Sequence, residues 1–469
     1  MQHQMDRAET ATTGDRRFRT CAVLLATMLT AGSLQAQTTF KVASGDWMNA
    51  ANWDSGLPTA SSAARIGYPS PGVGICTAYI HSADSAVCRL LSLGATTAGN
   101  SGTLVIEGGV LSVVGNSSSI IGASPNCTGI VIQTGGTVAV TNSGSVGFII
   151  GNVSSYGSWT ISGGVLTNAT SGIAYVGDVG TGRLIVNGTG RYVHKSSAFR
   201  LGNGAATANG TLVVADGGRF ESATNATTFS VPSKGTGSII VTNGGTMVIN
   251  DIFNLGNTAD MTGTLFVASG GVFSNGLVSA TAIKIGPGNS SARAMASISN
   301  GSFHAEGTVT FDSKTNSVFP AAIVELDGTQ RVFRIGSAGA LTLGGGAADR
   351  QGIISNHVRR LAGGVDLANT SGTALGVFSG SRIHLAFDEN PTQTGDFWGL
   401  RWAGTNGYAR LVSYTNSGLI AVANNLTAPF NTNAITVYRA ADNSYTYIGF
   451  HATVAATVTV NKGTVVVLR

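Results

Sequence analysis

The sequence predicts an all-β fold, a right-handed parallel β-helix, from three observations: a repeat of fixed period, short runs of alternating apolar residues, and glycines at the corners between them. The repeat extends from Gly102 to Gly286 in steps of 25 to 28 residues. Its units open on Gly102, Gly129, Gly157, Gly182, Gly210, Gly237 and Gly263. Self-similarity at a fixed period is the signature of a solenoid, in which each unit buries its apolar side against the next.

Two apolar columns follow the opening glycines. The first lies two residues on, at Leu104, Val131, Trp159, Leu184, Leu212, Ile239 and Leu265. The second follows a glycine turn, at Leu111, Val138, Leu166, Tyr192, Phe220, Met247 and Phe273. Alternation over a few residues is typical of a strand, whose successive side chains point to opposite faces. We therefore expect three strands per coil and a core of about seven or eight stacked coils lined by these columns.

Two other architectures suit a glycine-rich β protein. Propeller blades need about 40–45 residues, and sandwiches have no fixed period. The observed period therefore favours the β-helix. No window combines helical spacing with helix caps, so the sequence does not predict helices.

The period divides the chain into four segments. Residues 1–36 carry a basic stretch and then a short apolar run, which is typical of a secretory signal peptide. We expect residues 37–100 to form an N-terminal cap, residues 101–318 the β-helix repeats, and residues 319–469 a β-rich C-terminal cap, for which a small sandwich is one form. Hairpin breaks are predicted at residues 440–444 and 461–463.

Trp47 and Trp53 lie ahead of the first repeat, and two interpretations of them are open. A solenoid needs an atypical terminal unit to cover its first coil, and buried tryptophans suit that role. Exposed on the surface, the same side chains would form a platform on which sugars stack.

The composition argues against some function classes. Charged residues make up 10% of the chain, and the formal net charge is +5. So small an excess, without a basic stripe interleaved with aromatics, does not predict nucleic-acid binding. No run of about 18 apolar residues predicts a transmembrane helix in the mature chain.

Cys76, Cys88 and Cys127 follow the leader. In an oxidising compartment, Cys76 and Cys88 are candidates for a disulfide. The other interpretation is three small buried residues. The sequence has neither a zinc-ligand spacing nor a calcium-binding nonapeptide repeat, so we expect no metal and no cofactor.

The segment from Gly45 to Pro58 has the pattern G-x-W-x-x-x-x-N-W-x-x-G-x-P, and G-T-L-x-h-x-x-G-G repeats follow it. This combination resembles secreted bacterial β-helix proteins of the autotransporter-passenger and PEP-CTERM-associated type, over residues 45 to about 307. The resemblance implies surface or matrix proteins, with some adhesins among them. The sequence shows neither a translocator-barrel pattern nor a Pro-Glu-Pro sorting tail, so we expect neither self-transport nor membrane-anchored sorting.

Enzymes built on β-helices place acids or bases on outward positions of adjacent coils. The richest polar cluster is in the fourth and fifth repeats, with the candidate binding residues Arg183, Arg191, His194, Arg219 and Glu221. Arg191 and Arg219 each precede an inward aromatic residue, so both should point outward, one coil apart, with an anion or Glu221 between them. A site for an anionic glycan and a solvated polar face with a local salt bridge are both open.

Trp398 and Trp402 are further binding candidates. On a strand, Trp398, Leu400 and Trp402 would share one face. Facing outward, they would form an aromatic strip for sugar stacking. Facing inward, they would be the core of the cap.

These patterns lead to one functional expectation and one alternative. We expect a secreted or cell-surface structural, adhesin-like repeat protein without catalytic activity, located outside the cell or in the periplasm, with carbohydrate or cell-surface components as partners. The alternative is a polysaccharide lyase or hydrolase that acts on an anionic glycan at the β-helix surface. No nucleophile-elbow, metalloprotease or phosphate-loop motif occurs in the chain.

Overall fold

The chain divides into two units, residues 1–36 and 37–469. The computed structural model describes residues 36–69, 72–169, 171–222, 228–256, 261–276, 282–286, 293–311, 313–314, 322–327, 332–344, 350–359, 363–378, 381–392, 396–427 and 435–451. The second unit is an all-β parallel solenoid of about 11 turns with one short α-helix. The predicted fold class is therefore confirmed, while its right-handed sense stays a prediction.

Three sheets run along the solenoid, and most coils contribute one strand to each of them. Sheet 1 contains Gln37–Thr39, Ala63–Ile66, Leu90–Leu93, Ser119–Ile121, Val146–Ile150, Ile173–Val176, Ala198–Leu201, Thr228–Val231, Ile252–Leu255, Ile283–Ile285, Val309–Phe311, Leu341–Leu343 and Leu375–Val377. Sheet 2 contains Ser44–Asp46, Ile75–Ile80, Ser101–Ile106, Thr128–Gln133, Tyr156–Ile161, Thr181–Val186, Asn209–Val214, Thr236–Val241, Thr262–Ala268, Arg293–Ser299, Ala322–Asp327, Arg350–Val358, Arg382–Phe387 and Ile420–Asn424, with Ser313–Lys314 paired to one of them. Sheet 3 contains Ser85–Cys88, Val110–Val113, Thr137–Val140, Val165–Asn168, Arg191–His194, Arg219–Ser222, Thr246–Ile249, Val272–Asn275, Ser302–Ala305, Val332–Ile335, Gly364–Leu367, Asp396–Ala403, Tyr445–His451 and Thr436–Arg439.

The strand registers confirm the predicted columns residue by residue. In sheet 2, the column that starts at Leu104 pairs in order as far as Leu265. In sheet 3, the column that starts at Leu111 pairs in order as far as Phe273. Both columns are buried, so stacking the coils creates one continuous apolar core.

The opening and closing glycines of a coil have different physical causes. Gly151 closes its coil with φ 74°, a left-handed conformation that residues with a Cβ avoid. Gly157 opens the next strand of sheet 2, where a Cβ would overlap the carbonyl oxygen of Ile121 and the amide nitrogen of Gly151. The glycine repeat therefore marks the corners where consecutive coils approach each other most closely.

The parallel coils extend beyond residues 101–318 on both sides. Strands of residues 37–100 already pair in parallel with the next coils. The Leu104 column of sheet 2 continues from Leu265 to Ala296 and, past residue 318, through Val324, Ile354, Ile383 and Ile420. The expected seven or eight coils were therefore too few. In place of a separate sandwich, the described strands after residue 318 continue the solenoid as far as Ile420–Asn424.

The two tryptophans of the first segment belong to the buried core. Trp47 and Trp53 are both 1% exposed and pack edge to face with ring centroids 4.9 Å apart. The indole N–H of Trp53 donates to the carbonyl oxygen of Trp47 at 2.8 Å. Because both rings are buried, the exposed sugar platform is wrong for this pair, while the cap interpretation stays a prediction.

The C-terminal end of the solenoid is covered by an α-helix, Tyr408–Asn416, that the sequence did not predict. It has no side-chain N-cap, and its only buried side chain is Leu411, so tertiary packing holds it rather than local signals. Two of its side chains form hydrogen bonds with the last strand of sheet 1. Arg410 and Tyr414 both donate to the carbonyl oxygen of Leu375.

A hairpin follows, as predicted around residues 440–444. Thr436–Arg439 and Tyr445–His451 pair antiparallel with each other, and the second of them extends sheet 3 along Asp396–Ala403. An antiparallel hairpin ends the parallel ladder there and occupies the edge of the sheet. The other predicted hairpin, around residues 461–463, lies outside the described residues.

Cys76, Cys88 and Cys127 are buried free thiols. Cys76 lies in sheet 2 and Cys88 in sheet 3. The interpretation as small buried residues is therefore the one that the structure supports. Among the described helices, none is long and apolar enough to cross a membrane.

Candidate functional site

Arg191, Arg219 and Glu221 form one cluster on the outer face of sheet 3. Arg191 and Arg219 are paired residues on adjacent strands, as the sequence predicted. The Glu221 carboxylate lies between them: its Oε2 accepts from Arg191 Nη2 at 2.5 Å, and its Oε1 accepts from Arg219 Nε. The two like charges are thereby bridged by one carboxylate.

The electrostatics of this open cluster keep Glu221 ionised. Burial raises the pKa of the carboxyl group, but the hydrogen bonds from Arg191 and Arg219 outweigh it, so the pKa is lower than usual. A general acid must carry its proton near the working pH, and Glu221 does not suit that role. Each guanidinium has five N–H donors, and the Glu221 contacts use one nitrogen of each.

A depression of about 510 Å³ adjoins the cluster. Its exposed polar lining comes from neighbouring strands of sheet 3 and the turns after them, and includes Thr167, Lys195 and Asn250 besides the two arginines and Glu221. The two arginine side chains are 47% and 49% exposed. A hydroxyl, an amide and cations around one depression are groups that hydrogen-bond sugar hydroxyls and acidic substituents.

Arg183 and His194 do not belong to this site. Arg183 points outward from sheet 2, where it pairs with Ser158 and Thr211. His194 lies on the inner side of sheet 3 and is 1% exposed. Burial lowers the pKa of His194 to about 3, so the imidazole is neutral at physiological pH. The strand alternation that turns Arg191 outward turns His194 inward, and its assignment to a surface cluster was wrong.

Trp398 and Trp402 face opposite sides of their strand. The register shifts between Trp398 and Leu400, so the three residues do not share a face as predicted. Trp402 is fully buried, and its indole N–H donates to the carbonyl oxygen of Asn369 at 2.9 Å. It is a core residue. Trp398 is half-buried on the outer side of sheet 3.

A second cluster surrounds Trp398, and sequence reasoning missed it. Asp366 accepts two hydrogen bonds from Arg401, both at 2.9 Å, and lies 3.9 Å from the Nε of Arg334. The Arg401 guanidinium lies 4.6 Å from the ring centroid of Trp398 and 4.7 Å from that of Tyr445. The sequence did contain one signal of this cluster. The alternation of Arg382–Phe387 indicates a further coil of the solenoid, and a further coil extends the columns of outward residues.

The outer side of sheet 2 near its C-terminal end has the opposite charge. Asp327 and Glu389 both pair with Arg359, at 2.8 and 3.1 Å. Asp388 pairs with the Nδ1 of His357 at 2.7 Å, and Glu325 is exposed nearby. Carboxylates outnumber cations here, whereas arginines outnumber carboxylates in both clusters of sheet 3.

Within the described ranges, His, Cys, Asp and Glu side chains form no group of three or more that could hold a metal ion. Comparison with known proteins adds no identification: no family model, no curated protein and no solved structure matches this chain.

Proposed function

We propose that this chain is an exported, adhesin-like structural repeat protein that holds an acidic polysaccharide on the outer face of sheet 3 without cleaving it. The observation that carries the proposal is the open cluster, in which two outward arginines on adjacent coils flank one carboxylate beside a polar depression. Arginine forks match carboxylate and sulfate groups geometrically. The leader-like composition of residues 1–36 supports export.

The arrangement favours binding over catalysis at this cluster. Arg183, once expected to join the cluster, lies on another sheet, and His194 is buried and neutral. Glu221 is held ionised between two arginines. Retention of a ligand needs only fixed donors, whereas cleavage needs a proton donor and a base on either side of one bond.

Binding of the purified chain to polygalacturonate and to heparin tests the proposal by titration calorimetry. We expect Arg191→Ala and Arg219→Ala each to weaken binding by roughly fivefold, the equivalent of about 1 kcal/mol for an exposed charge contact. Arg183→Ala is the matched control, because it removes an exposed arginine from the neighbouring sheet and should leave affinity unchanged.

The same samples distinguish binding from cleavage. We expect no new reducing ends and no absorbance from unsaturated sugars after incubation. Absence of binding to both polymers, or equal losses in all three arginine variants, would overturn the proposed site. Release of cleaved product would establish the alternative, a lyase or hydrolase.

A further inference from the structure

We infer that the ligand of sheet 3 is an extended polyanion that lies along the solenoid axis and spans both arginine clusters, rather than a short oligosaccharide seated across one coil. This inference rests on the proposed function and specifies the geometry of the ligand. It depends on the register of one outward column.

The column joins the two clusters without interruption. From Glu221, successive strands of sheet 3 present Val248, Ser274, His304 and Arg334 at the same register position. Asp366 and Arg401 continue it. The strands of Glu221 and Arg334 are four spacings of about 4.8 Å apart, or roughly 19 Å. A ligand that reaches both clusters must therefore be a chain of several sugars.

The outward positions between the clusters carry no acidic side chain. The Glu221 column holds Val248, Ser274 and His304, and the Arg219 column continues through Thr246, Val272, Ser302 and Val332. Glu306 lies in the turn after the strand of His304. A polyanion can thus follow strand positions that carry no acidic side chain from one cluster to the other, and Glu306 is the like charge at the end of one of these strands.

In the second cluster, Arg334 lies nearer to the open cluster and can donate hydrogen bonds to a ligand. Arg334 is 49% exposed and stands 3.9 Å from Asp366, whereas Arg401 holds that carboxylate with two short hydrogen bonds. Arg334 is therefore the arginine available to a ligand. Two sites on one rigid face bind a chain that spans them more tightly than either site binds a fragment, because the second contact is intramolecular.

The distribution of charge also favours binding of a polyanion to sheet 3. The four arginines and two carboxylates give the two clusters of sheet 3 an excess of positive charge, and the C-terminal coils of sheet 2 carry Glu325, Asp327, Asp388 and Glu389 against Arg359 and Arg382. Such a separation steers a polyanion toward one face and away from the other.

Ligands of defined length test the inference. A disaccharide and a dodecasaccharide are prepared from each of heparin and polygalacturonate, so that sulfated and carboxylated sources are distinguished. We expect the dodecasaccharide to bind at least tenfold more tightly than the disaccharide through effective concentration. Arg219→Ala should weaken both lengths, and Arg334→Ala should weaken the dodecasaccharide alone, by roughly fivefold.

Arg382→Ala is the matched control for Arg334→Ala, since it removes an exposed arginine from the outer face of sheet 2. Thermal unfolding midpoints show that each variant is folded. If the lengths bind equally, or if Arg334→Ala leaves the dodecasaccharide unaffected while Arg219→Ala weakens it, the axial inference is wrong and the proposed function stands. If wild-type protein binds neither length from either source, the proposed function itself is wrong.

Discussion

Sheet 3 carries two arginine–carboxylate–arginine clusters on one outer face, and the second is far more enclosed than the first. In the open cluster, Arg191 and Arg219 are 47% and 49% exposed around Glu221, which is 18% exposed. In the enclosed cluster, the Asp366 side chain is 4% exposed and Arg401 is 29% exposed, and only Arg334 at the outer end of the cluster is as exposed as the arginines of the open cluster. Rings of Trp398 and Tyr445 flank the Arg401 guanidinium, and no cation–π contact to Arg191 or Arg219 occurs among the described residues.

The difference follows from position in the solenoid. The open cluster lies on inner coils, where parallel strands continue on both sides and the arginines need only mutual neutralisation. The enclosed cluster lies where parallel pairing ends and the strand Tyr445–His451 runs antiparallel to Asp396–Ala403. Arg401 links Asp366 on the preceding parallel strand to aromatic residues on both antiparallel strands. The same arrangement of charges is thus exposed on the surface in the open cluster, whereas in the enclosed cluster it attaches the antiparallel strand to the solenoid.

Exchange of each carboxylate for its amide gives the largest expected contrast. Asp366→Asn leaves Arg401 part-buried without its carboxylate, and loss of one partner from a buried pair costs about 3–5 kcal/mol. Glu221→Gln leaves two arginines that water still solvates, at a cost of about 1 kcal/mol or less. Urea unfolding followed by tryptophan fluorescence measures both. Equal losses in the two variants would show that enclosure does not distinguish the clusters.

Exchange of arginine for lysine gives a smaller contrast. Arg401→Lys keeps the charge but loses the two-pronged contact with Asp366 and the planar stacking on Trp398 and Tyr445, at an expected cost of about 1–2 kcal/mol. Arg191→Lys should change the unfolding free energy by less than about 0.5 kcal/mol. The same urea titrations compare them. A loss in Arg191→Lys as large as that in Arg401→Lys would contradict the contrast.

The open cluster was largely predictable from the sequence, and the enclosed one was not. Glycine corners fixed the register of the inner coils, and that register placed Arg191 beside Arg219 with Glu221 two residues on. At the coil after Gly263 the opening position is Ala294. The glycine signal therefore fades there, although the apolar column continues to Ile420. Without a register, Arg334, Asp366 and Arg401 could not be aligned.

Two particular residues, His194 and Trp398, lie on the opposite face from the one expected. His194 was expected on the surface, but it occupies an inward position between Asn168 and Ser222, which are polar and buried as well. Strand alternation from the outward Arg191 predicts this inward position, whereas the polarity of the imidazole alone suggests the surface. Trp398 was expected to face the same way as Trp402, and one irregularity in pairing reversed it.

Acid titration gives the smallest contrast. The folded-state pKa of Glu221 is below its ordinary value of 4.5. The stability that its ionised form contributes is therefore complete above about pH 4.5 and is lost as the pH falls through the folded-state pKa. We expect the free energy of unfolding of the wild type to exceed that of Glu221→Gln by about 1 kcal/mol or less at pH 6. This difference should vanish at strongly acid pH and shrink in high salt.

Urea titrations of wild type and Glu221→Gln across this pH range measure that difference. Glu325→Gln is the control, because it removes an exposed carboxylate from the outer face of sheet 2, away from both arginine clusters. A difference between wild type and Glu221→Gln that stays constant with pH would mean that the glutamine variant is destabilised by packing rather than by loss of charge. The bridge between Arg191 and Arg219 would then contribute nothing to stability, and the open cluster would differ from the enclosed one in kind, since only the latter would stabilise the fold through its charges.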